Sequence, residues 1–115
     1  MQIEVLKSKI HTALVKGAYL NYIRRITTDE TLIDTLNIIE GEKVQVANIN
    51  NAESLINYVI RGKKNSGEII LNGPAAKKAQ KGDEVIIISY ASLNRSKAKL
   101  FKPTVIFHGA NNSLQ

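Results

Sequence analysis

The sequence predicts a mainly β chain folded as a small barrel with two short helices, and three observations carry that prediction. Apolar and polar residues alternate, most cleanly over Lys43-Val44-Gln45-Val46-Ala47-Asn48, which is the period of a strand with one buried face. Turn residues break the chain at short intervals, at Lys16-Gly17, Glu40-Gly41-Glu42, Asn50-Asn51-Ala52-Glu53, the loop 62–67 and Lys81-Gly82-Asp83-Glu84. Helical signals are confined to two places, one after Thr28 and one after Pro74. Roughly seven or eight short strands with two small helices suit a compact barrel better than a layered α/β domain.

Taken in order, Gln2 to Ile10 reads as a strand with a break near Lys7, and Thr12 to Val15 and Tyr19 to Thr27 as two more, joined by Lys16-Gly17. Thr28 or Asp29 can cap a helix by accepting a hydrogen bond from a free backbone amide. Leu32, Ile33 and Leu36 then repeat at helical spacing, and Asn37 is a natural stop. After the Glu40–Glu42 turn, Val44 and Val46 define a half-buried strand whose next inward residue is Asn48 or Ile49. Leu55 to Arg61 returns as a strand, and Glu68 to Leu71 is a short one. Pro74 can open a brief helix over residues 75–79, because the first helical position needs no amide hydrogen. Val85-Ile86-Ile87-Ile88-Ser89-Tyr90 is apolar without alternation, the pattern of a strand buried on both faces or at the centre of a barrel. Residues 92–100 are polar and irregular. Pro103 starts the last strand, to Phe107, where a missing amide costs least, and residues 109–115 read as a loose tail.

One domain spanning 1–115 is expected from the length. No apolar run approaches the ~20 residues of a membrane helix, and the first six residues alternate like a strand rather than forming a signal peptide. Without cysteine there is no disulfide framework and no thiolate metal site; a cytoplasmic protein without a metal is expected. The formal net charge of +6 is uneven: residues 1–57 hold six basic and seven acidic side chains, residues 58–115 ten and three. A basic half invites nucleic acid as a partner. Against that, the lysines fall in scattered pairs, and the six Tyr and Phe residues are dispersed rather than gathered for stacking. Solvated loops account for the charge more simply.

The segment Ala18-Tyr19-Leu20-Asn21-Tyr22-Ile23-Arg24-Arg25-Ile26-Thr27-Thr28-Asp29-Glu30 carries the most information. With Leu6-Lys7-Ser8-Lys9-Ile10-His11 before it and Asn72-Gly73-Pro74-Ala75-Ala76 after it, it resembles the pyruvoyl-dependent aspartate decarboxylases. The resemblance covers roughly residues 1–108. It implies a six-stranded double-psi β-barrel, a homotetramer, and conversion of L-aspartate to β-alanine and carbon dioxide for pantothenate synthesis. The family's strand carries a Tyr-x-Gly-Ser element; the serine attacks the preceding glycine carbonyl, and the cleaved chain is left with a pyruvoyl group that serves as electron sink. Here Tyr22 and Ile23 are in register, but Arg24 and Arg25 follow. Arginine has no hydroxyl, residue 24 is no longer the permissive glycine, and no Gly-Ser dipeptide occurs in the chain. The pyruvoyl cofactor is therefore not expected.

By the same resemblance, Lys9 matches the lysine that pairs with the substrate's side-chain carboxylate, and Tyr58 the proposed proton donor after decarboxylation. His11 and Tyr22 match positions beside the processing site, and Asn72 and Gly73 the turn that faces it. The family's substrate arginine falls at Ser54 and its processing threonine at Asn57. Each retained residue also has a plain structural explanation: a solvated lysine, a histidine under a turn, a groove-filling tyrosine, a tight Asn-Gly turn. The leading expectation is a non-processing homologue with a binding, regulatory or structural role. One of Arg24 and Arg25, which point to opposite faces of a strand, would enter the old site and bind a small carboxylate or phosphate; the other reading has both extend into solvent. The alternative is an active aspartate 1-decarboxylase, alone by another route or as a hetero-oligomer with an active paralogue. Nucleic-acid binding is third.

Overall fold

The structure, a computed structural model, describes residues 1–19, 25–73, 78–107 and 112. Its eight strands belong to one sheet in the order β2-β6-β3-β5-β4-β7-β1-β8. They are β1 (Gln2–Leu14), β2 (Gly17–Tyr19), β3 (Arg25–Asp29), β4 (Lys43–Asn48), β5 (Ser54–Gly62), β6 (Ile69–Asn72), β7 (Glu84–Asn94) and β8 (Thr104–Ile106). Helix α1 covers Glu30–Thr35 and α2 covers Arg95–Ala98. β1 and β7 run antiparallel over most of their length, and β3 pairs β5 in parallel while pairing β6 antiparallel.

Alternation decides the two faces. Inward rows such as Ile10–Ile87–Val46 and Val59–Ile26–Leu71 are almost fully buried and form one core with Val15, Val44, Val85 and the α1 residues Leu32, Ile33 and Leu36. The helix forms where the cap was expected. Asp29 is its N-cap, with the Asp29 carboxylate accepting from the Thr31 amide at 2.9 Å, and Asn37 follows its end in the left-handed region at φ 57°. At the end of β4 it is Asn48 that turns inward, held by Asp83 at 2.8 Å and the Lys78 carbonyl at 3.0 Å, while Ile49 is half exposed.

Several expectations need correction. The N-terminal strand is continuous: the break near Lys7 is a register shift between Leu6 and Ser8, a second lies between His11 and Ala13, and the chain stays extended through both. β7 runs past Tyr90 to Asn94, and its outer residues Ile86 and Ile88 are only half-buried, so this apolar strand is not covered on both faces within one chain. The second helix is α2 in the stretch expected to be irregular, capped by Asn94 through the Lys97 amide at 3.0 Å. The helix expected over 75–79 falls mostly outside the described residues, and Ala79 is not helical. Most of the tail and residues 20–24 also fall outside them. Asn112, however, is fully buried: it accepts from the Leu14 amide at 2.7 Å and donates to the carbonyls of Leu14 and Gly67, each at 2.8 Å.

Candidate functional site

The outer face of the sheet carries the residues of interest, because inward positions are taken by core. Paired residues in adjacent strands share a face, so the register defines a row across five strands: Lys43 on β4, Tyr58 on β5, Arg25 on β3, Asn72 on β6 and Tyr19 on β2. Tyr58 is 44% exposed and Tyr19 53%, whereas Arg25 and Asn72 are half-buried. The Asn72 amide donates to the Thr27 hydroxyl on β3 at 3.2 Å, a diagonal contact two residues from its row partner Arg25. Gly73 follows with φ 82°, a conformation that favours glycine and turns the chain off the end of β6.

Asn57 does not join this row. It points the other way, fully buried opposite Val44, and neither atom of its amide has a hydrogen-bond partner. Lys9 and His11 lie elsewhere on the outer face. Lys9 pairs with Ile88, which pairs with Gln45, so β7 and β4 stand between Lys9 and β5. The row through Lys9, Ile88 and Gln45 reaches β5 at Ile56, three strand spacings or about 14 Å away along the sheet, and Tyr58 lies two residues beyond Ile56. His11 is exposed and stands edge-on to Phe107, ring centroids 5.7 Å apart and planes at 77°. The structure thus gathers Arg25, Tyr58 and Asn72 and leaves Lys9 and His11 on β1, three strands from Tyr58, at the β1–β8 edge. Tyr22 and Arg24 lie outside the described residues.

The sequence reading overlooked Lys43. Alternation along β4 places Lys43 and Gln45 on the outer face, but only the β4–β5 register sets Lys43 against Tyr58. Beside them lies a cleft of about 540 Å³ lined by Glu4, Glu42, Lys43, Gln45, Ile56 and Tyr90. The Tyr90 hydroxyl donates to Gln45 at 2.5 Å, and Gln45 in turn donates to the Ser54 hydroxyl at 2.8 Å. Glu42 is held by Lys7 at 2.6 Å. Among the described residues, no group of three or more His, Cys, Asp or Glu side chains is placed to hold a metal ion, and no helix is long and apolar enough to cross a membrane.

The class of protein is set by the sheet. Two designed proteins superpose on it: the rationally designed mkDPBB_sym_86, with a TM-score of 0.52 over 66% of this chain and 87% of its own, and the computationally designed msDPBB_sym2, with 0.50 over 68% and 98%. Both are double-psi β-barrels, and at 19% identity they bear on the fold alone. This chain has that fold; the three-residue strands β2 and β8 bring its count to eight. The family model for aspartate decarboxylase matches residues 1–115. The aspartate 1-decarboxylase of Flavobacterium psychrophilum is 60% identical over 100% of both chains, and that of Cytophaga hutchinsonii 58% over 99% of both. That of Bacteroides fragilis is 57% identical over 93% of this chain and 92% of its own. The chain belongs to the aspartate decarboxylase family.

The pyruvoyl group that the family implies does not fit position 25. Making it needs a serine hydroxyl there and a flexible residue before it. Instead Arg25 sits in regular β3–β5 and β3–β6 pairing, and its neighbour is another arginine.

Proposed function

We propose that this chain serves aspartate 1-decarboxylation, L-aspartate to β-alanine and carbon dioxide on the cytoplasmic route to pantothenate, as a subunit that does not make its own ketone. The observation carrying this reading is the end-to-end match to relatives of that name, one of them 60% identical over 100% of both chains. Lys9, Tyr58, Asn72 and Gly73 keep the family's substrate-facing positions. Arg24 and Arg25 remove the residues that would supply the carbonyl, so the carbonyl comes from a serine-bearing paralogue in a mixed assembly. Lys9 and Tyr58 stand about three strand spacings apart in one chain, so a second chain is needed for both to act at one point. The half-buried Ile56, Ile86 and Ile88 on the outer face give such an assembly, a tetramer by family resemblance, apolar surface to bury.

A second reading is favoured by Arg25 itself: a non-processing homologue in which residue 25 binds a small carboxylate in place of forming the cofactor. One experiment separates the two. The purified chain is weighed intact under denaturing conditions, then assayed for carbon dioxide release from aspartate, alone and after co-expression with a serine-bearing relative. The proposal expects a single full-length species, no release alone, and release from the mixed assembly that falls when Tyr58→Phe is placed in this chain. Release indifferent to that substitution favours the second reading. Two fragments, one with a carbonyl reactive to hydroxylamine, overturn both.

A further inference from the structure

We propose that the segment from α2 through β8 is a binding surface for single-stranded nucleic acid, with Arg95, Lys97, Lys99 and Lys102 holding phosphates and Phe101 and Phe107 stacking on bases. Over the whole chain the lysines and aromatics are dispersed, but these six residues lie between 95 and 107, and the fold puts them at one edge of the sheet. Among the described residues β8 is the last strand in the order and pairs on one side only, with β1. From Asn94 to Phe107 no residue is buried: Ala98 and Ile106 are half-buried and all the others exposed. Leu100 is 82% exposed and Phe107 55%. A single chain leaves this whole segment uncovered.

The charge of this segment is uncompensated. After Glu84 the sequence holds no acidic residue, against four cations. Among the described residues, none of those four takes part in an ion pair. The nearest acid by register is Glu4, opposite Ser92, and it lines the cleft beside Gln45 instead. The backbone fixes the spacing of the cations. Asn94 caps α2, and the amides of Lys99, Leu100 and Phe101 donate to the carbonyls of Arg95, Lys97 and Ala98 at 3.1, 3.1 and 3.3 Å. Arg95 and Lys99 are one turn apart on the same side of α2, and Lys102 carries the charge on toward β8. Regularly spaced phosphates suit cations fixed along one segment, and each phosphate neutralised releases counterions. The rings choose among polyanions: the bases of a single strand are free to stack on them, those of a duplex are already stacked. An acidic peptide would use the charge and leave the rings idle. The length of β8 separates Leu100 from Phe107, so the apolar side chains do not project as one wedge into a lipid layer.

The test is fluorescence anisotropy of the full purified chain with labelled oligonucleotides of about 12 nucleotides, as RNA, as DNA and as duplex DNA, over a salt series. A single strand is expected to bind at low salt, with the logarithm of the affinity falling by about 3 per decade of salt, the slope for four phosphate contacts. Tighter binding of RNA or of DNA identifies the source of the strand, and either supports the proposal. Lys97→Glu combined with Lys99→Glu should weaken binding by at least about tenfold. Lys63→Glu combined with Lys64→Glu makes the same change of net charge in the 62–67 loop and should leave the affinity within about twofold. Phe101→Ala combined with Phe107→Ala should weaken binding by about tenfold with the salt slope unchanged, because stacking releases no counterions. Circular dichroism establishes that each variant is folded. The proposal is overturned by absence of binding to both single strands at low salt, equal losses in the two charge variants, a duplex bound as tightly as a single strand, or full affinity without the two rings. Polyglutamate or phosphatidylserine vesicles competing, charge for charge, as well as unlabelled strand would also overturn it. None of these readouts depends on carbon dioxide release, so this proposal and the mixed-assembly reading fail separately.

Discussion

Asn57 is the residue whose neighbours do least for it. Its amide is fully buried against Val44 with no partner for either polar atom, and a buried amide without hydrogen bonds costs about 1–3 kcal/mol. An apolar β-branched residue of similar size removes that cost. Asn57→Val is expected to stabilise the chain by about 1–2 kcal/mol, read as a higher urea midpoint with an unchanged slope. Thr28, whose hydroxyl is also buried without a partner, offers the same test through the isosteric valine. A loss of stability in both variants would mean that these atoms have partners in the folded protein. Asn112 is the opposite case: its three hydrogen bonds complete the backbone groups of Leu14 and the Gly67 carbonyl, so a residue near the chain's end is tied into the barrel.

At the scale of elements, α1 shows how a short helix is held. Six residues are too few to be stable alone, and two features compensate. Leu32 and Ile33 bury against the core, and the Asp29 carboxylate gathers three backbone amides, from Thr31, Asn65 and Gly67, each at 2.9 Å. One side chain thus caps the helix and closes the 62–67 loop. Asp29→Ala is expected to cost about 2–4 kcal/mol, more than an ordinary helix cap, because two loop amides are orphaned along with the helical one. Asp29→Asn should keep some of that stability. Hydrogen exchange checks the assignment: the amides of Asn65 and Gly67 should lose protection in the alanine variant, and unchanged protection there would refute the shared role.

For the whole molecule, the outer face of β4, β5 and β7 is the surface that a single chain leaves unfinished. Ile56, Ile86 and Ile88 are half-buried with Tyr58 and Tyr90 exposed nearby, which explains why β7 reads as apolar on both faces while only one is covered here. If a second copy covers this face, a charge placed in it blocks association while leaving the inner core untouched. Ile86→Lys is expected to lower the mass measured by light scattering, with the circular dichroism spectrum preserved. An unchanged mass would place any assembly on another surface.

The fold was largely legible from the residues. Alternation fixed which side chains of β4 face inward, Asp29 announced α1, and Lys81-Gly82-Asp83-Glu84 announced the entry to β7. What misled was local: the continuous run Val85–Tyr90 cannot tell a chain-covered face from an uncovered one, since either favours apolar side chains, and a bulge at Lys7 looks in sequence like the end of a strand. The sequence alone also shows that residue 25 is an arginine, which has no hydroxyl, and that no Gly-Ser pair occurs in the chain. Only the tertiary structure decided which candidates meet. Strand order separates Lys9 and His11 from Tyr58, sends Asn57 into the core, and brings Arg25 and Lys43, eighteen positions apart in the chain (43 − 25), to either side of one tyrosine. Register depends on pairings between distant segments, and those are settled by the packing of the whole sheet, not by any short stretch within it.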